Sequence, residues 1–414
     1  MKNVTIVGIG YVGLPLALYA SKIGYNVFGY DKDKEKVKLA NQKVNYLDDE
    51  LVEDLIKKDL NFKATYDPKC LSKSEIIIVC VPTPVKENHE PNFGPLVSSI
   101  NEIKGYVKEN TTIVIESTIS PGTMENVVKP ILERDFDIGK NLFLAHCPER
   151  IDPGNQKYNV SNIPRVLGAF SEEGLEKSYE FYSNVLESEV RKMNSIREAE
   201  AVKILENSFR DINIAFINEI AKSFEKLDID TIDVIEGAKT KPFAFMAHYP
   251  GCGVGGHCIP VDPYYLIERA KENGFDHKFL KLAREINESM PKYTVNKFLR
   301  EMNKIEEFVK GKNVALLGLS YKKNVSDIRE SPSFDILEEL NELGANVIKY
   351  DPHYTKENNV QSLEEIYNTC DFAIIATGHD KFKEIDLNKF KLVIDGKNLF
   401  FNQKTPKHYF GIGR

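Results

Sequence analysis

Cys258 lies in the run Gly251-Cys252-Gly253-Val254-Gly255-Gly256-His257-Cys258-Ile259-Pro260-Val261-Asp262-Pro263. The glycines at 251, 253, 255 and 256 let a backbone approach a ligand closely. Asp262 sets a carboxylate four residues after the thiol. His257, Lys203 or a helix N-terminus could lower the thiol pKa and supply the thiolate that acts as nucleophile. Such a cysteine suits covalent capture of an aldehyde. The commoner fate of a cysteine is burial as a small apolar residue, and Cys252 is a second candidate that lacks the following Asp. A Cys258–His257 protease pair is disfavoured, because adjacent side chains point apart.

The N-terminus carries Gly8-Ile9-Gly10-Tyr11-Val12-Gly13 between a strand-like run and a helix-like run. The first glycine suits a tight turn, the second the approach of a pyrophosphate, and the third close packing of helix on strand. Phosphate would meet the helix N-terminus at Tyr11, Val12 and Gly13. Asp31 ends the next strand-like run, where a carboxylate takes both ribose hydroxyls and repels a 2′-phosphate. This favours NAD over NADP, with Lys32 and Lys36 as nearby cations. A dinucleotide site beside a reactive thiol points to an alcohol oxidised through an enzyme-bound thioester to an acid.

Other candidates lie at strand ends, where open α/β sheets bind ligands. Thr83, in Val81-Pro82-Thr83-Pro84, and Thr118, in Ser117-Thr118, offer hydroxyls to a nicotinamide ribose or a substrate, or simply shape loops. His146-Cys147-Pro148-Glu149-Arg150-Ile151-Asp152-Pro153-Gly154 brings carboxylates at 149 and 152, one of which could activate water; a solvated acidic loop is the alternative. Lys203, Asn207 and Arg210 are spaced by four and three, so they share one helix face, and Asn is a poor mid-helix residue. In Gly318-Leu319-Ser320-Tyr321-Lys322-Lys323 and Asp327-Ile328-Arg329-Glu330, cations clustered after a strand suit phosphate, or a charged surface loop.

The elements that must position these groups fall into three blocks. Residues 1–193 read as a Rossmann-like domain with strands at Val4–Val7, Asn26–Tyr30, Ile76–Cys80, Thr112–Glu116 and Leu142–Ala145. Residues 194–300 read as a central helical domain. There Val202, Leu205, Phe209, Ile212, Phe216 and Ile220 form the apolar stripe of one long helix over 196–227, with more helix at Asp230–Glu236 and Tyr264–Met290. Residues 301–414 read as a second Rossmann-like domain with strands at Asn313–Leu317, Asn346–Tyr350, Phe372–Ala376 and Leu392–Ile394. The fold class is α/β: two doubly wound parallel-sheet domains joined by a helical domain. A chain of 414 residues that is 42% apolar supports such cores. The net charge of −7 gives no reason to expect nucleic acid or an anionic membrane as partner. Six scattered cysteines without a CxxC pair indicate neither a disulfide framework nor a metal site, and a cytoplasmic setting is expected. The apolar start at Val4–Ala20 lacks a signal-peptide cleavage pattern, and no later segment is long enough to span a bilayer.

The motifs GIGYVGLPLA, VPTP, EST, CPERIDPGN, AVKILENSFRDINIAF, GCGVGGHCIPVDPYYL and GLSYKKNVSDIRESP, in this order, resemble those of the nucleotide-sugar (UDP-glucose/GDP-mannose type) dehydrogenases over essentially the whole chain. GAKTKPFAFM with YPG looks most like UDP-N-acetylglucosamine 6-dehydrogenases, then UDP-N-acetylmannosamine dehydrogenases. The resemblance implies an N-terminal NAD domain, a central dimerisation domain and a C-terminal UDP-binding domain. It implies Cys258 as nucleophile, and Lys203, Asn207 and Asp262 as holders of an oxyanion or a catalytic water. Thr118 and Glu149 would assist proton transfer and thioester hydrolysis. Arg329 would reach NAD, alongside Gly8, Gly10, Lys36 and Thr83. Tyr321 and Lys322 would bind the UDP-sugar, with Glu149, Arg150, Arg210, Tyr249 and Gly255 as further contacts. The chain departs from UDP-glucose dehydrogenases at Pro153, where they carry a second acid. It departs from both these and the mannosamine enzymes near Pro242, where a neighbouring subunit gives a basic or polar sugar-phosphate contact and the nearest cation here is Lys241.

The expected reaction is therefore four-electron, NAD-dependent oxidation of a UDP-N-acetylhexosamine, foremost UDP-N-acetylglucosamine, at C6 to the uronic acid, without a metal, by a homodimer or higher homo-oligomer in polysaccharide synthesis. UDP-N-acetylmannosamine and UDP-glucose are alternative substrates. A two-electron dehydrogenase of the 6-phosphogluconate or 3-hydroxyacid type and a non-catalytic dinucleotide sensor are more distant readings.

Overall fold

The computed structural model describes every residue except 1, 48, 87–90, 152–154 and 156, so Asp152 and Pro153 lie outside the described residues. The chain divides into two compact units, one of residues 1–206 and 264–274, the other of 207–263 and 275–414.

The first unit is built on β1 (Asn3–Val7), β2 (Asn26–Tyr30), β3 (Phe62–Thr65), β4 (Ile76–Val79), β5 (Thr111–Ile115), β6 (Leu142–His146), β7 (Arg165–Ala169) and β8 (Val190–Lys192). Their order in the sheet is β3-β2-β1-β4-β5-β6-β7-β8. The first six strands run parallel and give the doubly wound order of dinucleotide-binding folds. β7 joins antiparallel to β6. Every residue of β4, β5 and β6 is buried, which is why these segments read as unbroken apolar runs.

The second unit carries β9 (Asn313–Leu317), β10 (Asn346–Tyr350), β11 (Phe372–Ile375), β12 (Leu392–Asp395) and β13 (Tyr409–Gly411) in the order β10-β9-β11-β12-β13, all parallel. β9 and β10 match their expected bounds residue for residue. β3, β7, β8 and β13 were not foreseen. β3, β8 and β13 are short edge strands interrupted by Lys63, Arg191 or Gly411, so no apolar run marks them, and the run of β7 opens on the charged Arg165.

The long helix spans Ile196–Lys226. Its inner face, however, is not the large apolar stripe. Leu205 and Phe216 are 67% and 56% exposed, and Phe209 is exposed as well. The buried positions are Ile196, Ala199, Glu200, Ile204, Ser208, Asp211, Ala215, Ile217, Asn218 and Ala221. Small residues, isoleucines and polar groups, most of them hydrogen-bonded, face inward, so the largest apolar side chains of the expected stripe point away from this chain's own core. The helix expected over Tyr264–Met290 is two, Asp262–Glu272 and Lys278–Glu288, and a third, Met290–Lys304, begins where that span ends. Gly274, at φ +85°, ends the first of them. No helix among the described residues is long and apolar enough to cross a membrane.

The turn after β1 depends on its glycines unequally. Gly8 adopts φ +91°, and its N–H donates to the Tyr30 carbonyl at 2.8 Å. A Cβ on Gly13 would sit 1.9 Å from the Gly8 carbonyl oxygen, whereas one on Gly10 would meet nothing within 4 Å. Gly13→Ala is expected to destabilise by about 1–3 kcal/mol or more through overpacking, while Gly10→Ala keeps the parental Tm. Thermal unfolding of both variants checks this, and equal melting temperatures would refute the packing argument.

Candidate active site

In the first unit, the strand ends of β1, β2, β4, β5 and β6 present the loops that carry the candidate residues. Gly10 faces open space at the start of the helix Gly13–Lys22, which leaves room for a pyrophosphate against the backbone. Tyr11 is exposed beside it. Asp31 follows β2 and accepts the Ile9 N–H at 3.0 Å and the Asp33 N–H at 2.9 Å. These bonds fix its carboxylate at the end of the strand and leave lone pairs for ribose hydroxyls. Residues 8–13 and Asp31 thus fit a dinucleotide. Lys36 lies in the helix Lys34–Asn41, whose N-cap is Asp33.

The Thr118 loop is held from several directions. The Thr83 hydroxyl, buried, donates to the Thr118 carbonyl at 2.7 Å, and the Tyr265 hydroxyl donates to the Thr83 carbonyl. Arg269 Nε donates to the Pro121 carbonyl at 3.0 Å. Glu200 accepts the Gly122 and Met124 N–H groups at 2.5 and 2.7 Å. Burial pushes the Glu200 carboxyl up to about 7, because those two hydrogen bonds offset only part of the desolvation. Thr83 therefore shapes the loop. Glu200 was missed in the sequence, although it precedes Lys203 by three on the same helix.

Glu149 is buried. Its carboxylate accepts the Ile151 N–H at 2.5 Å and lies 3.5 Å from Arg165 Nη1. Arg165, fully buried, also lies 3.7 Å from Glu116. Burial raises the Glu116 carboxyl, and Arg165 and the Tyr182 hydroxyl offset only part of that. Arg165 was also missed, although a lone cation opening an apolar run is a readable signal. Arg150 does not reach outward. Its Nε and Nη2 pair with Glu206 at 3.0 and 2.5 Å, and Nη1 donates to the Pro164 carbonyl. Lys203 is half-buried within electrostatic range of Glu116 and His146. Burial chiefly, with a smaller push from Lys203, holds the His146 imidazole down to about 3, so it stays neutral.

In the second unit, Cys258 is exposed and Cys252 buried. The Cys252 thiol donates to the Ala376 carbonyl at 3.2 Å, and burial raises its pKa. The Cys258 carbonyl accepts the Asp262 N–H at 2.8 Å, which sets the thiol at the start of the helix Asp262–Glu272. A helix N-terminus favours a thiolate. Asp262 is buried and accepts from Asn207 Nδ2 at 2.6 Å. Asn207, Asp262 and Cys258 are thus brought together.

The glycines of this loop serve packing. A Cβ on Gly255 would lie 2.4 Å from the Glu330 carbonyl oxygen and 2.8 Å from Tyr321 Cβ, and one on Gly256 would lie 2.7 Å from the Tyr321 ring. The Gly256 N–H donates to the Arg329 carbonyl at 3.0 Å. Tyr321 is therefore seated against the Cys258 loop, and Lys322 follows it in the chain. Arg329 chelates Asp327 through Nε and Nη2 at 3.0 and 2.6 Å. Burial alone would raise the Asp327 carboxyl, but Arg329 more than offsets this and holds it low. The Tyr249 hydroxyl donates to Glu236 at 2.5 Å. Arg210 is exposed on the long helix. Among the described residues no group of three or more His, Cys, Asp or Glu side chains could hold a metal ion.

Residues 2–186 match the NAD binding domain of the UDP-glucose/GDP-mannose dehydrogenase family, residues 197–289 its central domain, and residues 315–402 its UDP binding domain. A UDP-N-acetyl-D-mannosamine dehydrogenase of Methanococcus maripaludis is 33% identical over 100% of this chain and 96% of its own length. A UDP-N-acetyl-D-glucosamine 6-dehydrogenase of Pseudomonas aeruginosa is 33% identical over 97% of this chain and 96% of its own. The solved structure of a UDP-D-ManNAc dehydrogenase from Pyrococcus horikoshii superposes with a TM-score of 0.92 at 30% identity, over 100% of this chain and 99% of that one. With all three domains matched in order, the chain belongs to the UDP-glucose/GDP-mannose dehydrogenase family and is an NAD-dependent UDP-sugar dehydrogenase.

Proposed function

We propose that this chain oxidises C6 of a UDP-N-acetylhexosamine, UDP-N-acetylglucosamine foremost, from alcohol to carboxylate. The observation that carries the four-electron course is the exposed Cys258 beside the Asn207–Asp262 pair. NAD⁺, when bound, accepts one hydride in each of two oxidations. After the first, the Cys258 thiolate adds to the aldehyde carbon, forming a thiohemiacetal. The second leaves a thioester on Cys258. Water then adds to its carbonyl carbon, and the C–S bond breaks to release the acid and regenerate the thiol. The balance is alcohol plus two NAD⁺ plus water to acid, two NADH and two protons.

The other roles follow from chemistry at this centre. Lys203 and Asn207 stabilise the oxyanion that develops when sulfur or water attacks. Asp262 takes one amide hydrogen of Asn207 and so turns the other toward the reacting oxygen. Glu149 serves the water step, and Thr118 the proton transfers. Tyr321 and Lys322 hold the sugar nucleotide. The reading places NAD on residues 1–193, dimer contacts on 194–300 and UDP on 301–414, in the cytoplasm, with the uronate supplied to polysaccharide synthesis.

UDP-N-acetylmannosamine is the second reading. It is supported by the names of the Methanococcus maripaludis relative and the Pyrococcus horikoshii structure. The exposed stripe of the long helix, with Phe243 and Met246, supports a homodimer that covers it.

In a panel of UDP-sugars, UDP-N-acetylglucosamine is expected to yield two NADH per sugar at the highest kcat/KM. A higher value for UDP-N-acetylmannosamine would reassign the sugar, and one NADH per sugar would overturn the covalent course. Cys258→Ser should lower formation of the acid by at least about 10³-fold while NAD still binds, since removing a nucleophile costs on that order or more. Cys252→Ser should be close to silent, as a hydroxyl there can still donate to the Ala376 carbonyl; an inactive, folded Cys252→Ser would move the chemistry to the other thiol. Phe216→Asp should convert dimer to monomer in sedimentation velocity, and an unchanged dimer would place the interface elsewhere.

A further inference from the structure

The second unit repeats the turn of the first but puts its carboxylate to another use. Gly318 follows β9 at φ +92°, and its N–H donates to the Tyr350 carbonyl at 2.8 Å, as Gly8 does to Tyr30. Asp351 follows β10 as Asp31 follows β2. Asp31 is partly open, whereas Asp351 is fully buried. Its Oδ2 accepts the Leu319 N–H, the Ser320 N–H and the Ser320 hydroxyl at 2.7, 2.9 and 3.0 Å. Its Oδ1 accepts the His353 and Tyr354 N–H groups at 2.7 and 2.9 Å. No lone pair is left for a ribose.

The last partner of Asp351 is His379 Nε2, at 3.0 Å. His379 is fully buried, and its Nδ1 lies 2.9 Å from the Asn324 N–H. A backbone N–H can only donate, so Nδ1 accepts and Nε2 carries the hydrogen. His379 is therefore a neutral ring with both nitrogens committed, one to the carboxylate beneath it and one to the loop above. Asn324 stands at φ +58° and exchanges two further bonds with Asp380, through Nδ2 at 2.5 Å and Oδ1 at 3.0 Å. The Ser320 carbonyl accepts the Thr377 hydroxyl at 2.5 Å. Both ends of the segment 320–324 are thus tied to the residues that follow β11, and Tyr321 and Lys322 lie between the ties.

We propose that His379 is a positioning residue for the sugar nucleotide: clamped by Asp351, it fixes the Asn324 N–H and thereby the turn that presents Tyr321 and Lys322. The proposal rests on the reading that these two residues hold the substrate. His379→Phe keeps a ring beside Phe382, whose centroid lies 5.3 Å away, and removes both nitrogens. His379→Asn returns an acceptor near the Nδ1 position. In the full chain, His379→Phe should weaken UDP binding by calorimetry about tenfold, the scale of one lost hydrogen bond in a fixed geometry, and leave NAD affinity within twofold. Trypsin cleavage after Lys322 and Lys323 should accelerate by a similar factor. His379→Asn should recover most of both. Parental UDP affinity and parental cleavage in folded His379→Phe would overturn the proposal, as would equal losses of UDP and NAD affinity. Faster cleavage with unchanged UDP affinity would also overturn it; parental UDP affinity in Lys322→Ala would then show that the substrate reading of the loop, and not the clamp, had failed. If His379→Phe does not fold, the same measurements on His379→Asn and His379→Gln decide: an Asn variant no closer to the parent than Gln counts against the Asn324 bond.

Discussion

The helix Ile196–Lys226 acts as a rail of inward polar groups, and the loops of the molecule take their posture from it. Glu200 holds the backbone at Gly122 and Met124, Glu206 holds Arg150, and Asn207 holds Asp262. Further along, Asp211 holds Arg284 and Asn287, Asn218 holds the Gly251 N–H, and Glu225 gathers Tyr293, Lys297 and Arg300. A buried polar group is tolerated only when bonded, and removing one partner leaves the other at full desolvation cost. The helix is thereby held in one rotation, because any other would strand these groups without partners.

This arrangement explains what could and could not be read from the sequence. β-branched runs such as Ile76–Val79 and Asn313–Leu317 announce buried parallel strands, and the glycine turn with Asp31 announces a dinucleotide site from local chemistry alone. The rotation of the long helix was not legible, because its largest apolar side chains mark the face this chain leaves open. Lys203 and Asn207 could be picked out by spacing and residue type. Glu200, which holds the Gly122 backbone, and Arg165, which lies against Glu149, act through folded contacts across 78 and 16 residues of chain, and nothing in the local pattern signals a pairing at that distance. Gly255 shows the converse: a glycine taken as room for a ligand proves to be room for Tyr321.

The two sheets show one supersecondary device turned to two ends. Both start with a strand, a left-handed glycine and a carboxylate after the neighbouring strand. In the order β3-β2-β1-β4-β5-β6 the carboxylate stays at the surface. In the order β10-β9-β11-β12-β13 it is enclosed by His379 and five other donors, and serves the backbone instead. The same turn can therefore recognise a ligand or brace a loop, depending on whether a neighbouring side chain closes over it.

Much of the bracing from the long helix falls on main-chain N–H groups, at Gly122, Met124 and Gly251. A main-chain donor is indifferent to the side chain attached to it. Side chains elsewhere on such loops can change without loss of posture, so recognition can drift while geometry stays fixed; Gly122 itself, at φ +89°, is held to glycine. A fold with that property would carry a shared reaction across relatives whose names specify different sugars.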